Sequence, residues 1–516
     1  MESAVSGTLS RRDFLRLAAL ASGGAAAPLL RKLASSTQSA ATPGKNVLIV
    51  VFDALSARHL SLHGYGRETA PNITRLAQGA VVYHNHYAAG NFTTPGTASL
   101  LTGVYPWTHR AFQMHAPVAL WLERKNLFQA FPNHHRIAYS HNPLVTRIFD
   151  QLGDGLDDYV PIEELLLTDD GLIQKLFRVD DDTSSLAWQR TMKTALNEGS
   201  AYSLFLSEIY QLRQRGATAG FEAAFPRGLP LIRGDHYFVL EEAVETLAAE
   251  LSASPQPFLA YLHFIPPHDP YNTHREFVDT FHNDGFSPPE KPADPLFAAG
   301  RKFTPQLLSR LRRYYDEFIL YADRELGRLV KKLERGGLLA NTWIVVTSDH
   351  GELFERGIWE HTTPVLYEPV IRVPLLILEP GRTTRRDVRT PTSAVDVLPT
   401  LLHATGGAAA EWCEGTALPP YGGSAESERG VYSVEAKMNA PEAPLHKATI
   451  ALIKGRHKLT RFFGYDALDG SDRIELYDLE ADPEELRDLS SIDVARTRRM
   501  SDELSEKIAD VNAAHR

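Results

Sequence analysis

Only one cysteine, Cys413, stands among the 516 residues. A lone thiol excludes an internal disulfide and any metal site built from several cysteines. Apolar runs long enough to cross a membrane stably are missing too. Positive charge is scarce, with 54 Lys and Arg against 64 Asp and Glu and a formal net charge of −10. Residues 1–41 hold a surplus of three basic side chains, so the rest of the chain carries −13. That balance argues against a broad nucleic-acid surface. What is present fits a soluble globular chain: 43% hydrophobic and 23% charged residues can build a sizeable core. The length predicts one large domain and a smaller one.

The N-terminus reads as a targeting segment. Ser10-Arg11-Arg12-Asp13-Phe14-Leu15-Arg16 precedes an Ala/Leu-rich run from Leu17 to Leu30 and a Ser/Thr/Ala spacer. This pattern, over residues 1–41, is similar to a bacterial twin-arginine export signal. It predicts the twin-arginine machinery as a partner and a periplasmic or extracellular location. No stable membrane span is expected after processing.

From residue 45 the texture alternates between buried strands and amphipathic helices. Asn46–Phe52 is a continuous β-branched run of the kind found in strands covered on both faces. Ala80–Tyr87, Arg136–Tyr139, Pro257–Phe264, Thr342–Thr347 and Val370–Leu378 read as further strands. Helices are predicted over Pro71–Gln78, Asn126–Phe131, Tyr237–Leu251, Gln306–Arg335 and Val395–Ala404. The rhythm breaks at 160–235, which reads as a helical insertion containing Ala201–Arg213. Residues 45–405 thus predict an α/β catalytic domain on a large, mostly parallel sheet flanked by helices. Residues 406–516 predict a linker and a C-terminal α+β subdomain. Its strands at 448–453, 457–463 and 473–477 form a small antiparallel sheet, followed by a helix over Val494–Ala513.

The chain is organised around Asn91-Phe-Thr-Thr-Pro-Gly-Thr-Ala-Ser-Leu-Leu-Thr-Gly103. Pro95 suits a first helical turn and Gly103 a stop. Thr93 then stands at a helix N-terminus, where free N–H groups favour an anion. As mere caps, Thr93 and Thr94 would need no further explanation. Their company elsewhere supplies one. Asp53 follows the first strand, and Asp349-His350 follow the strand 342–347. In an open α/β sheet such strand ends share one edge, where ligands bind. Two carboxylates, an imidazole and the Thr93 hydroxyl make a divalent-cation site. His268, in Pro266-Pro267-His268-Asp269-Pro270, and His361, in Trp359-Glu360-His361, lie in loops at that edge. Each suits a general acid or a donor to substrate oxygens. His263, Asp269 and His274 are weaker candidates for a second cation.

These motifs, in this order, make the chain resemble the sulfatase family of the alkaline phosphatase superfamily from about Lys45 to Leu489. Asn-Val-Leu-Ile-Val-Val-Phe-Asp53 with Thr69-Ala-Pro-Asn looks like the family's opening strand and helix. Ser99-Leu-Leu-Thr-Gly-Val-Tyr-Pro, Thr347-Ser-Asp-His-Gly-Glu and Glu475-Leu-Tyr-Asp-Leu look like later hallmarks. The resemblance implies an alkaline phosphatase-like fold, metal ligation by Asp53, Thr93, Asp349 and His350, and Thr93 as nucleophile. His268 and His361 would contact the anionic substrate.

The chain also departs from that pattern. Family members place a cysteine or serine, oxidised to formylglycine, where this chain has Thr93, with an arginine where it has Thr97. Threonine cannot become that aldehyde. The family's paired opening acids are reduced to Asp53-Ala54. An imidazole in the donor set favours manganese or zinc, with calcium or magnesium left open. The expectation is an exported, metal-dependent hydrolase cleaving phosphodiester, phosphonate or sulfate esters of a small anionic substrate, free or carried on a glycan or lipid. A phospho-group transferase of the same superfamily and an inactive anion-binding relative are the alternatives.

Overall fold

The computed structural model describes residues 44–161, 165–167, 212, 215–232, 236–298, 303–422 and 428–515. The targeting segment and most of the 160–235 insertion, including 201–211, lie outside them. Lys45–Arg516 forms one compact unit.

In chain order the strands are β1 (Asn46–Phe52), β2 (Val81–Tyr83), β3 (His86–Tyr87), β4 (His135–Ser140), β5 (Asp158–Val160), β6 (Phe258–Phe264), β7 (Thr342–Ser348) and β8 (Phe354–Glu355). They continue as β9 (Ile358–Trp359), β10 (Leu375–Leu378), β11 (Arg386–Val388), β12 (Thr392–Ser393), β13 (Gly430–Glu435), β14 (Ala448–Lys454), β15 (His457–Phe463) and β16 (Arg473–Asp478). Eight of them form the main sheet in the order β11-β2-β10-β7-β1-β6-β4-β5. All its pairings are parallel except those of β10, which runs antiparallel to both β7 and β2.

Successive side chains of β1 enter opposite cores, which explains its unbroken apolar run. Val47, Ile49 and Val51 pack with Ala98 and Leu101 of the Thr93–Thr102 helix and Val145 and Ile148 of the Pro143–Leu152 helix. Leu48, Val50 and Phe52 pack with Val244 and Leu247 of the Leu240–Ala253 helix and Phe318 and Leu326 of the Pro305–Arg335 helix. The C-terminal sheet, β13-β14-β15-β16, is antiparallel throughout, and Met500 and Leu504 of the Val494–Ala513 helix are buried.

Three sequence readings change. The 80–87 run splits at His84-Asn85, where His84 N–H donates to Val388 O and the Asn85 amide donates to Arg389 O. β2 stays in the main sheet, whereas β3 pairs with β12. The 370–378 run also divides: Pro369 opens a helical turn at Glu368–Ile371, and only Leu375–Leu378 is extended. The Gly/Pro-rich stretch after 406 conceals β13, because Tyr432, Ser433 and Glu435 dilute its apolar pattern. Before it, Trp412 Nε1 donates to Thr102 O and Glu414 N–H to Gly103 O.

The register of the central strands places the site. Phe52 pairs with Ser348, so Asp53 and Asp349 emerge side by side beyond it. Ser348 Oγ lies 2.5 Å from Phe52 O and 2.6 Å from His350 O and accepts from Leu55 N–H at 2.9 Å, joining the two strand ends. Ala54 turns the chain away in the left-handed region at φ 62°, a strained conformation for a residue with a Cβ. Tyr315 Oη, from the long helix, donates to Ala54 O and holds that turn.

Two consequences can be measured by thermal denaturation. A Cβ on Gly96 would lie 2.3 Å from Asp349 O, so the glycine permits the helix to approach the strand end. Gly96→Ala is expected to cost about 1–3 kcal/mol. The Pro71–Leu76 helix has no side-chain cap of its own; Asp323 of the long helix accepts from Asn72 N–H and Ile73 N–H at 2.8 and 2.7 Å. Asp323→Ala should therefore cost about 1–2 kcal/mol, the range for loss of a cap.

Candidate active site

Asp53, Asp349 and His350 bring potential ligand atoms within 4.8 Å of one another, and all three are fully buried. His350 Nε2 lies 3.2 Å from Asp53 Oδ1 and 3.6 Å from Asp349 Oδ2. Its other nitrogen, Nδ1, sits 2.9 Å from Gly351 O and serves as the N–H donor there, so that Nε2, once a cation displaces its proton, would present a lone pair beside the two carboxylate oxygens. Three electron-pair donors converging on one point fit a cation. Asp349 Oδ2 has no hydrogen-bond partner, which fits the same occupant. The other oxygen, Oδ1, accepts from Ala54 N–H and His350 N–H at 3.3 and 3.0 Å, fixing the carboxylate's direction.

The helix Thr93–Thr102 meets this cluster end-on. Phe92, its N-cap, offers no side-chain acceptor, and Gly103 closes the helix in the left-handed region at φ 72°. Thr93 Oγ1 lies 3.5 Å from Asp53 Oδ1 and 3.4 Å from His350 Nε2, so all four sequence-predicted ligand residues come together. Thr94 points elsewhere: its hydroxyl donates to Met114 O at 2.7 Å. Thr97 is buried and its hydroxyl has no hydrogen-bond partner.

The charges arrange themselves as two neighbouring carboxylates must. Burial pushes Asp53 up, but the imidazoles of His263, His350 and His268 overcome it and hold this carboxyl well below its usual range. Burial and the Asp53 charge push Asp349 up instead. This splitting is the signature of like charges competing for one site. Burial disfavours the His350 cation, but Asp349 and Asp53 raise its pKa to about 9.

The wall facing Thr93 carries the loop histidines. His268 and His361 rings stand 5.0 Å apart, and the His361 ring lies 4.1 Å from that of His350, tilted by 38°. Burial opposes charging of His268, yet Asp269, Asp53 and Glu352 raise its pKa well above normal. His361 goes the other way, depressed by burial and by the charges of His350 and His268. His361 Nδ1 lies 3.1 Å from Glu352 Oε1, whose partner oxygen accepts from Tyr271 Oη at 3.2 Å. Burial lifts Glu352 to about 8. Asn91 Nδ2 donates to His361 O and Thr363 O, tying this loop to the segment before the Thr93–Thr102 helix.

Sequence reasoning missed Asn142. Its amide donates to Asp53 Oδ2 at 2.6 Å and stands 3.5 Å from Thr93 Oγ1, while its carbonyl caps the next helix at Leu144 N–H. Asn before Pro reads as an ordinary helix cap, and it is one; only its position at the end of β4 hinted at more. Glu352 was in view within the Ser-Asp-His-Gly-Glu motif but carried no role. Of the second-cation candidates, Asp269 pairs with His268 and His274 packs against Tyr321, whereas His263 faces the Asp53–Asp349 pair.

A pocket of about 370 Å3 opens over Thr93. Phe92, Met114, Leu144, Ile232 and Ile265 give it apolar walls, and Asn142, His268, Asp269, Glu360 and His361 bring polar groups. No lysine or arginine is among the described lining residues.

Known proteins place this arrangement. The Sulfatase family model matches residues 45–148 and 193–408, and that of the N-sulphoglucosamine sulphohydrolase C-terminal region matches 355–514. A choline-sulfatase of Rhizobium meliloti is 28% identical over 87% of this chain and 83% of its own. The multifunctional alkaline phosphatase superfamily protein PehA of Trinickia caryophylli is 24% identical over 73% of this chain and 77% of its own. The fold matches that of a phosphonate monoester hydrolase of Agrobacterium radiobacter with a TM-score of 0.64 and 21% identity, covering 92% of this chain and 96% of the other. It also matches a 2-O GAG sulfatase with a TM-score of 0.61 and 18% identity, covering 90% and 93%. The mostly parallel sheet, its small C-terminal companion and a family match across most of the chain agree: this protein belongs to the sulfatase family of the alkaline phosphatase superfamily and is a sulfatase-like ester hydrolase.

Proposed function

We propose that the chain is an exported hydrolase of singly charged phosphodiester or phosphonate esters, with Thr93 as nucleophile. The observation that carries this reading is the Thr93 hydroxyl within 3.5 Å of both Asp53 Oδ1 and His350 Nε2 at the floor of the pocket. Asp53, Asp349, His350 and Thr93 would hold one divalent cation, manganese or zinc by the mixed oxygen and imidazole donor set. Such an ion supplies positive charge that favours the ionised hydroxyl and offsets charge growing on the substrate oxygens.

The chain's own groups perform the remaining work. The Thr93 oxygen attacks phosphorus in line with the leaving alcohol, and the Asn142 amide, 3.5 Å from that oxygen, steadies it. His268 is the acid: its carboxylate neighbours keep it protonated, so it gives a proton to the departing alcohol. Water then cleaves the phosphothreonine, with His268 now accepting a proton. His361, kept neutral and held by Glu352, orients the substrate oxygens. With Thr97 where an arginine would bring charge and no described lysine or arginine in the wall, a doubly charged monoester is poorly compensated. Sulfate esters are a second reading, favoured by the similarity to a choline-sulfatase; they too carry a single charge.

Nitrophenyl phosphodiester, phosphonate, sulfate and phosphate monoesters offered with Mn2+ or Zn2+ test this. Turnover is expected on the singly charged esters, with Thr93→Ala losing about 10³-fold or more in kcat. Intact mass after a rapid quench should find the phosphoryl adduct on Thr93; turnover that survives Thr93→Ala would end the reading. Independently of turnover, Mn2+ at about 100 times its Kd should stabilise the chelator-treated protein by about 2.7 kcal/mol in a thermal melt. The gain should vanish in Asp349→Asn.

A further inference from the structure

His263 is a buried imidazole at this edge that the proposed chemistry leaves without a task; His141, the other, stacks on Phe238 and does not face the carboxylates. It lies inside β6, opposite Val51 and one residue before the strand end. Its side chain is fully buried, and neither ring nitrogen has a hydrogen-bond partner. Its Nε2 stands between the two carboxylates, 3.5 Å from Asp53 Oδ2 and 3.7 Å from Asp349 Oδ2.

The two oxygens of Asp53 divide the space around them. Oδ1 faces Thr93 and His350, where a cation would sit. Oδ2 faces away, toward Asn142 and His263. His350, not His263, completes the cluster of potential ligand atoms. We infer that His263 is a positioning residue for the cation site: its Nε2, 3.5 Å from Asp53 Oδ2 and 3.7 Å from Asp349 Oδ2, wedges between the two carboxylates from behind and, with its N–H directed at Asp53, sets their separation and tilt. Groups that orient ligand side chains in this way typically govern metal affinity by about 10–100-fold. This inference rests on the cation site of the proposed function, but not on its phosphoryl chemistry.

The test uses the metal alone. Mn2+ affinity of the chelator-treated full chain is measured by calorimetry, and the Co2+ form is read by its visible absorption. His263→Leu keeps the bulk and removes the N–H; it should weaken Mn2+ binding about 10–100-fold while the metal-free melting temperature holds or rises. His263→Gln restores an N–H donor and should recover most of the affinity with an unaltered Co2+ band. Leu binding Mn2+ as tightly as the parent would overturn the role, leaving His263 a packing residue. A Co2+ band that shifts in both variants would overturn it in favour of direct ligation. If the parent binds neither ion, the cation site itself fails; if it binds them and no ester is turned over, only the proposed chemistry fails.

Discussion

Two carboxylates that occupy adjacent strand ends and see no water are the constraint on which this active site depends. Asp53 and Asp349 are both fully buried, and the parallel register of β1 and β7 gives them no freedom to separate. Burial of one charge is costly and burial of two like charges more so, unless positive charge lies close by. The chain answers with imidazoles alone: His350, His263 and, further out, His268. His350 and His268 are both drawn toward the charged form, yet Asp349 is still pushed up by burial and by the charge of Asp53. A divalent cation between Asp53, Asp349 and His350 would resolve the conflict in one step, so the strand register that builds the sheet also builds a cluster fit to hold one.

The second wall of the pocket follows from the first. With negative charge concentrated at Asp53, a nearby histidine must be either charged or withdrawn. His268, backed by Asp269, is drawn toward the charged form; His361, backed by Glu352, is held neutral by its two imidazole neighbours. Two residues of one type thus acquire opposite proton inventories from their surroundings, which is how one site obtains both an acid and a neutral donor at the same pH. Glu352 is buried deeply enough that its pKa reaches about 8, so it supports His361 without adding a third full charge.

Much of this was legible in the sequence, for identifiable reasons. Asp53 and Asp349-His350 each end an apolar strand, and Thr93 opens a helix with proline and glycine in place; strand ends and helix starts are the positions where local pattern and chemistry coincide. The long helix, from Pro305 to Arg335, and the C-terminal helix, from Val494 to Ala513, were readable from periodicity because each covers one apolar stripe. What escaped was tertiary. Asn142 is a sound helix cap whose second amide hydrogen bond runs to a residue 89 positions away. His263, read only as a weak ligand for a second cation, sits at an inward position of a strand, and nothing local shows that it faces both Asp53 and Asp349. Strand β13 was hidden by its polar residues, whose partners lie on another element: Ser433 Oγ donates to Ala88 O at 2.5 Å.

The same logic bears on threonine at the nucleophile position. A serine or cysteine there can be converted to an aldehyde that regenerates itself, whereas a threonine must form an ester and wait for water. Such an ester turns over only if the leaving alcohol departs easily and the resulting anion is not bound too tightly. In the proposed reading the covalent ester keeps the substrate's second substituent and a single charge, and a fixed arginine would still hold that anion and slow its hydrolysis, since binding that favours an intermediate over the following transition state raises the next barrier. Thr97 and a wall without described lysine or arginine avoid that grip. On the proposed reading, a threonine nucleophile and the missing cation would go together: the ester would be released because no described lysine or arginine of the pocket wall holds it in place.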